Sequence, residues 1–298
     1  MPYTLFSVAL LWSCTGDTDK ASTDTAGADD TGPSDSLDPD SLQPGVNVVS
    51  IDQVVEGETI ERTFRLHLPA DYDGSGATPL LFAFHGNGGT GEEFISPFAP
   101  PVDGGAFVGV YPAGIANSWN IGREESTADD VAFAEAILDA LDGVPGIDTS
   151  RPVGVGFSNG SALTHKIALE SGLFVAIVPQ ASQLLVDATP ADAPAPVSVM
   201  QFHGTVDDSC PYDGGVGVLG HEFMPAEDSA AAWAAANGCD ATPTETDIDP
   251  HLKLEWPNCD AGRRVVHYRL NGVGHAVPPD VDGGTYPQII DFLTQARQ

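Results

Sequence analysis

The segment whose residue types and spacing point most directly to chemistry is Gly156-Phe157-Ser158-Asn159-Gly160. An apolar run, Pro152 to Phe157, leads into it, and Gly160 to Glu170 after it reads as a helix. A serine between two glycines at a strand-to-helix junction is the G-x-S-x-G arrangement, which holds a hydroxyl on a strained, projecting turn. Side chains at positions 156 and 160 would collide with that turn. A serine hydroxyl is a weak nucleophile at neutral pH, so it needs a base, and the base needs an acid to orient it.

In arrangements of this kind the acid and then the histidine follow the serine along the chain. There are eight histidines. His67 and His85 precede Ser158, and His165 falls in the next helix, where a surface position is expected. His203 ends a strand, His221 and His251 sit in loops, and His267 lies within a strand. His275 closes a glycine-rich loop, Asn271-Gly272-Val273-Gly274, between the last strand and the last helix. It is therefore preferred as the base over His267 and His251. For the acid, Phe202-His203-Gly204-Thr205-Val206-Asp207-Asp208 follows an apolar strand; Asp207 is preferred, although spacing alone does not separate it from Asp208. An oxyanion formed at the carbonyl needs preorganised N–H donors. The backbone of Asn159 supplies one and Asn87 the second, with Gly88 the alternative, in His85-Gly86-Asn87-Gly88-Gly89. No lysine follows that loop, which argues against a phosphate cradle.

These residues need a scaffold, and the chain supplies alternating strands and helices. Val46 to Val55 and Thr63 to Leu68 alternate apolar and polar positions, as an antiparallel pair would. Pro79 to Phe84, Ala106 to Tyr111, Pro152 to Phe157, Phe174 to Pro179, Val197 to Phe202 and Arg264 to Leu270 read as strands. Thr127 to Leu141, Gly160 to Glu170, Ala226 to Ala236 and Tyr286 to Ala296 read as helices. This pattern predicts an α/β fold with a mostly parallel central sheet and helices on both faces. Active sites of such sheets gather at the carboxyl ends of the strands, where Ser158, Asp207 and His275 fall.

The 298 residues carry 43 acidic against 11 basic side chains, a net charge of -32 that repels phosphate backbones and disfavours nucleic-acid binding. Beyond the first dozen residues no apolar run approaches the ~20 needed to span a bilayer. Thr4 to Trp12 is apolar, and after Ser13-Cys14 the chain is dominated by Thr, Asp, Ser, Gly, Ala and Pro as far as Gly45. Leu11-Trp12-Ser13-Cys14 resembles a bacterial lipoprotein signal. It departs from that pattern in the bulk of Trp12 and in having no Lys or Arg ahead of the apolar stretch. We expect 1–14 to be a signal segment with Cys14 as lipid anchor, 15–45 a disordered tether, and 46–298 the catalytic domain. The protein is then secreted or held at the cell surface, meeting a membrane only through that anchor. In an exported protein Cys239 and Cys259, twenty residues apart, are natural disulfide partners, leaving Cys210 without a mate.

With these features assembled, the chain resembles the polyhydroxybutyrate-depolymerase and feruloyl-esterase-like group of α/β-hydrolases, including carbohydrate esterase family one. The segments that carry the resemblance are His85-Gly-Asn-Gly-Gly89, Tyr111-Pro-Ala-Gly114, Ser118-Trp-Asn120, Asp129-Asp130-Val131, Gly156-Phe-Ser-Asn-Gly160, His203-Gly-Thr-Val-Asp207, Pro211-Tyr-Asp-Gly-Gly215 and Gly274-His275. The resemblance implies an α/β-hydrolase fold and a Ser158, Asp207, His275 triad, selecting Asp207 over Asp208. It implies that the late cysteines pair, and a serine esterase acting as a monomer on extracellular polymers or oligomers: feruloyl or acetyl esters of polysaccharide, or polyhydroxyalkanoate. No metal or organic cofactor enters that chemistry. Ser161 stands where the group has a second glycine, and Ala276-Val277 replaces a tryptophan after the histidine. Trp119 and Tyr212 are expected to line the site for aromatic or polymeric acyl groups. Two alternatives are a serine peptidase on the same fold, which would carry an added gating domain, and a non-catalytic binding module, which would lack a triad member.

Overall fold

A computed structural model describes residues 37–298. The expected signal segment with Cys14, and the tether as far as residue 36, lie outside the described residues. The last part of the expected tether belongs to the folded unit instead. Pro39–Ser41 form a 3-10 turn capped by Asp38, and Leu42 is buried in the core. Leu37 packs half-buried against the same core, so two apolar side chains dock this polar stretch.

The strands β1 (Gly45–Val55) and β2 (Glu58–Leu68) form an antiparallel hairpin in which Gly45 pairs with Leu68 and Val55 with Glu58. Next come β3 (Ala77–Phe84), α1 (Ile95–Asp103), β4 (Val108–Pro112), α2 (Asp130–Leu141), β5 (Gly146–Phe157), α3 (Asn159–Glu170), β6 (Ala176–Gln180) and β7 (Ser198–Gly204). The chain continues through a short pair, β8 (Gly215–Val216) and β9 (Glu222–Phe223), then α4 (Ala226–Ala236), β10 (Thr244–Ile248), β11 (His251–Trp256), β12 (Val265–Leu270) and α5 (Thr285–Ala296). Ten strands make one sheet in the order β1-β2-β4-β3-β5-β6-β7-β12-β11-β10. From β4 to β12 neighbours are parallel, and antiparallel strands flank that block at both ends.

The two-residue period of a strand, with both faces covered, explains why β3 is apolar and buried from Leu80 to Phe84. Leu80, Phe82 and Phe84 enter the core layer shared with α2, α3 and α4, including Ile137, Leu163 and Trp233. Leu81 and Ala83 enter the opposite layer, where Phe98 and Val102 of α1 meet Ile289, Phe292 and Leu293 of α5. Both faces are thus covered, and the carboxyl ends of the central strands are left for the connecting loops.

Three local features differ from the sequence expectations. His165 is not on the surface of α3: it is 2 % exposed, stacks on Trp233, accepts the indole N–H at 3.2 Å, and burial pushes its pKa down to about 3. Helix α1 was hidden by Pro100 and Pro101, residues that oppose a helix interior. His251 begins β11 rather than lying in a loop, and β10 and β11 form an edge hairpin whose polar outer strand gives little periodic signal.

Cys239 and Cys259 are joined by a disulfide that ties the end of α4 to the loop after β11, while Cys210 is buried with a free thiol. Closing a loop of twenty residues restricts the unfolded chain. Replacing both cysteines by serine is therefore expected to lower stability by about 3 kcal/mol, read from denaturant unfolding without reductant.

Candidate active site

Ser158 stands between β5 and α3 with φ 54° and ψ -118°, outside the regions an L-residue favours. The turn persists because its surroundings are fixed. The Ser158 N–H donates to the Gln180 carbonyl at 2.8 Å, and α3 starts at once behind it. The flanking glycines are sterically required. A Cβ on Gly156 would sit 2.3 Å from the Gly160 carbonyl oxygen, and one on Gly160 would sit 2.1 Å from that of Phe84. Ser161 makes a further brace. Its hydroxyl accepts the Gln180 N–H at 2.7 Å and lies within hydrogen-bond reach of the Gly156 and Gln180 carbonyls. A glycine at 161 could not make this connection.

Asp207 and His275 reach Ser158 from loops after β7 and β12, which are parallel neighbours in the sheet. Strand adjacency brings together residues 68 positions apart in sequence. His275 Nε2 lies 2.8 Å from Ser158 Oγ, and His275 Nδ1 lies 2.8 Å from Asp207 Oδ2. A carboxylate only accepts, so Nδ1 carries the proton and Nε2 is free to take one from the hydroxyl. Asp208 makes no such contact among the described residues.

Burial alone would push the Asp207 carboxyl up. Hydrogen bonds from His203, His275 and the Cys210 N–H outweigh it and hold the group well below the usual carboxylate range. Its Oδ1 accepts the N–H groups of Ser209 and Cys210, each at 2.9 Å. His203 Nε2 lies 3.3 Å from Oδ2 and donates to the Cys210 carbonyl at 2.8 Å. Burial, and then the Asp207 charge, push the Cys210 thiol up to about 12, so it remains an inert neighbour.

The backbone N–H groups of Asn87 and Asn159 have no hydrogen-bond acceptor among the described residues, whereas Gly88 N–H donates to the Asn117 carbonyl at 2.7 Å. Asn159 opens α3, so its amide belongs to the unsatisfied first turn of a helix and suits a developing negative charge. The loop bearing Asn87 is built on His85, which is fully buried. His85 Nδ1 donates to the Gly86 carbonyl at 2.8 Å, and its Nε2 accepts the Gly114 N–H at 3.2 Å. Burial lowers the pKa of this ring, consistent with a neutral structural imidazole.

Trp119 and Tyr212 do not line the site. Trp119 is fully buried, with its indole N–H donated to the His85 carbonyl at 2.8 Å and its face against the His85 ring. Its backbone N–H and carbonyl clamp the Asn159 side chain at 2.7 and 2.9 Å. Tyr212 turns inward, where its hydroxyl donates to Glu227 at 2.8 Å and meets His267 Nε2 at 2.9 Å. Both aromatics satisfy their polar atoms inside the protein and so shape the loops from beneath. His267 is buried too, with its pKa pushed down to about 3.

A cavity of about 420 Å³ opens over Ser158, His275, Asn87 and Asn159. Its wall also includes Glu124 and His221, to which the sequence assigned no role. In a chain so rich in acids, Glu124 has no distinguishing signal, and His221 lies in a loop without periodicity. Among the described residues no group of His, Cys, Asp and Glu could hold a metal ion.

No protein-family model matches the chain. It is 27 % identical over 222 residues to feruloyl esterase B of Piromyces equi, a match covering 70 % of this chain and 41 % of that protein. It is 26 % identical over 235 residues to the bifunctional acetylxylan esterase/xylanase XynS20E of Neocallimastix patriciarum, covering 77 % of this chain and 33 % of that protein. The chain thus spans less than half the length of either relative. Among solved structures, an acetyl xylan esterase from Aspergillus awamori superposes with a TM-score of 0.56 at 13 % identity, covering 84 % of this chain and 99 % of the other. That likeness establishes the fold: the chain has the architecture of the α/β-hydrolases, and it is similar in sequence to proteins named as esterases.

Proposed function

We propose that the protein hydrolyses carboxylic esters through an acyl-enzyme on Ser158. The observation that carries this reading is the unbroken chain Ser158 Oγ, His275, Asp207, with 2.8 Å at each step, beside two free backbone amides. Ser158 Oγ attacks the ester carbonyl carbon while His275 Nε2 takes its proton. The carbonyl oxygen becomes an oxyanion and accepts from the Asn159 and Asn87 N–H groups. The tetrahedral species collapses, the C–O bond to the alcohol breaks, and His275 returns the proton to the departing alkoxide. Water then repeats the sequence on the acyl-enzyme, releasing the acid and restoring Ser158. Asp207 holds the imidazole in the working tautomer and stabilises the imidazolium formed in each half.

Feruloyl and acetylxylan esterases among the relatives support feruloyl or acetyl esters of polysaccharide as the substrate class. We place the protein outside the cytoplasm as a monomer, tethered through Cys14 and residues 15–36. The Cys239–Cys259 disulfide supports an oxidising compartment. A fluorophosphonate probe tests the nucleophile: one equivalent is expected on the peptide containing Ser158, by mass spectrometry. An unlabelled Ser158 in folded protein would instead favour a binding module without catalysis.

A further inference from the structure

Glu124 and His221 form a second carboxylate–imidazole pair in the wall of the Ser158 cavity, outside the triad. Glu124 comes from the loop between β4 and α2, and His221 from the turn between β8 and β9. His221 Nε2 lies 2.9 Å from Glu124 Oε1, and both side chains are 3 % exposed. The carboxylate is anchored from behind: Glu124 Oε2 accepts the N–H groups of Ile121 at 2.8 Å and Arg123 at 3.1 Å. Glu124 only accepts, so the His221 proton sits on Nε2, and that tautomer presents Nδ1 as a lone-pair acceptor. That nitrogen has no partner among the described residues, yet it is not one of the buried atoms sealed from solvent. Because that nitrogen is open to the cavity, a donor that enters the site can replace solvent there. His221 also borders an outer groove with Arg123, Leu185 and Glu222, so it stands where the far end of a group held at Ser158 would pass.

Resting on the esterase reading above, we propose that the Glu124–His221 pair is a specificity station that accepts a hydrogen bond from a neutral hydroxyl on the ester substrate. Two sources supply such a hydroxyl: a phenol on the acyl group, or a sugar hydroxyl on the alcohol side. His221 is the contacting residue and Glu124 the positioning residue that fixes its tautomer. A clamp that only joined the two loops would not distinguish a hydroxyl from its methyl ether.

The test measures binding to the Ser158→Ala protein, so that it does not depend on turnover. One arm compares methyl ferulate with its 4-O-methyl ether, and the other compares acetylated xylobiose with its O-methylated form. The free hydroxyl is expected to improve Kd by about tenfold in one arm, which identifies the source. The preference should vanish when His221→Phe is added. In Glu124→Gln the amide can still accept from Nε2, so part of it should remain. No preference in either arm, no binding of any of the four esters, or a preference that survives His221→Phe would overturn the proposal. Turnover of p-nitrophenyl acetate by the unmodified protein reports separately on the catalytic reading.

Discussion

Ser158→Ala is expected to lower kcat on p-nitrophenyl acetate and butyrate by about 10⁶-fold, leaving the fold intact. The size follows from how the residues cooperate. Without Oγ, His275 has no proton to accept and Asp207 nothing to orient, so removing this one atom silences all three. The expected residue of activity is that of the Asn87 and Asn159 amides, which still polarise a bound carbonyl toward water. Alanine keeps a Cβ at φ 54°, so the backbone strain of the turn is unchanged and the melting temperature should stay within a few degrees of the parent. Steady-state kinetics and a thermal melt on the same preparation make the check. A folded variant with activity within tenfold of the parent would remove Ser158 from the mechanism and require another nucleophile in the cavity.

The groups around Ser158 differed in how readable they were. Gly156 was legible because its clash is local, a Cβ there lying against the Gly160 carbonyl at the same strand-to-helix junction, whereas Gly160 was read from the motif and is enforced by the Phe84 and His85 carbonyls at the end of β3. Asp207 and His275 could be selected because each follows a strand, and order along the chain maps onto position along a parallel sheet. Trp119 and Tyr212 were misread for the converse reason. Their segments lie beside the site, but which way a loop side chain turns depends on partners such as the His85 carbonyl, Glu227 and His267, remote in sequence. Glu124 and His221 meet across 97 positions and leave no pattern that a sequence could carry.

The scaffold divides in the same way. Continuous apolar runs flagged the buried central strands, and helical spacing flagged α2 to α5. Asp130, in the first turn of α2, is buried in a salt bridge with Arg62 at 2.8 Å and accepts the Asn120 N–H at 2.6 Å. It anchors the loop that carries Trp119. A partner on β2, remote in sequence, determines the use of this residue.

Asp207→Asn carries the second large effect, an expected fall in kcat of about 10⁴-fold with little change in KM. Oδ1 of Asp207 is fixed by the N–H groups of Ser209 and Cys210, so the amide oxygen of asparagine takes that place. The NH₂ group then occupies the Oδ2 position and faces His275 Nδ1 and His203 Nε2, both donors in the parent. His275 can relieve that conflict only by moving its proton to Nε2, the nitrogen that must receive the proton of Ser158. Stability supplies an independent reading. The native Asp207 pKa lies below its unfolded value of about 3.9, so the carboxylate stabilises the fold fully above that pH. The contribution is lost as pH falls from there through the native pKa. The parent should therefore unfold at higher denaturant than Asp207→Asn at pH 7, with the gap narrowing once pH drops below about 4. A gap independent of pH, together with near-parental kcat, would mean that Asp207 neither orients His275 nor keeps its charge in the folded protein.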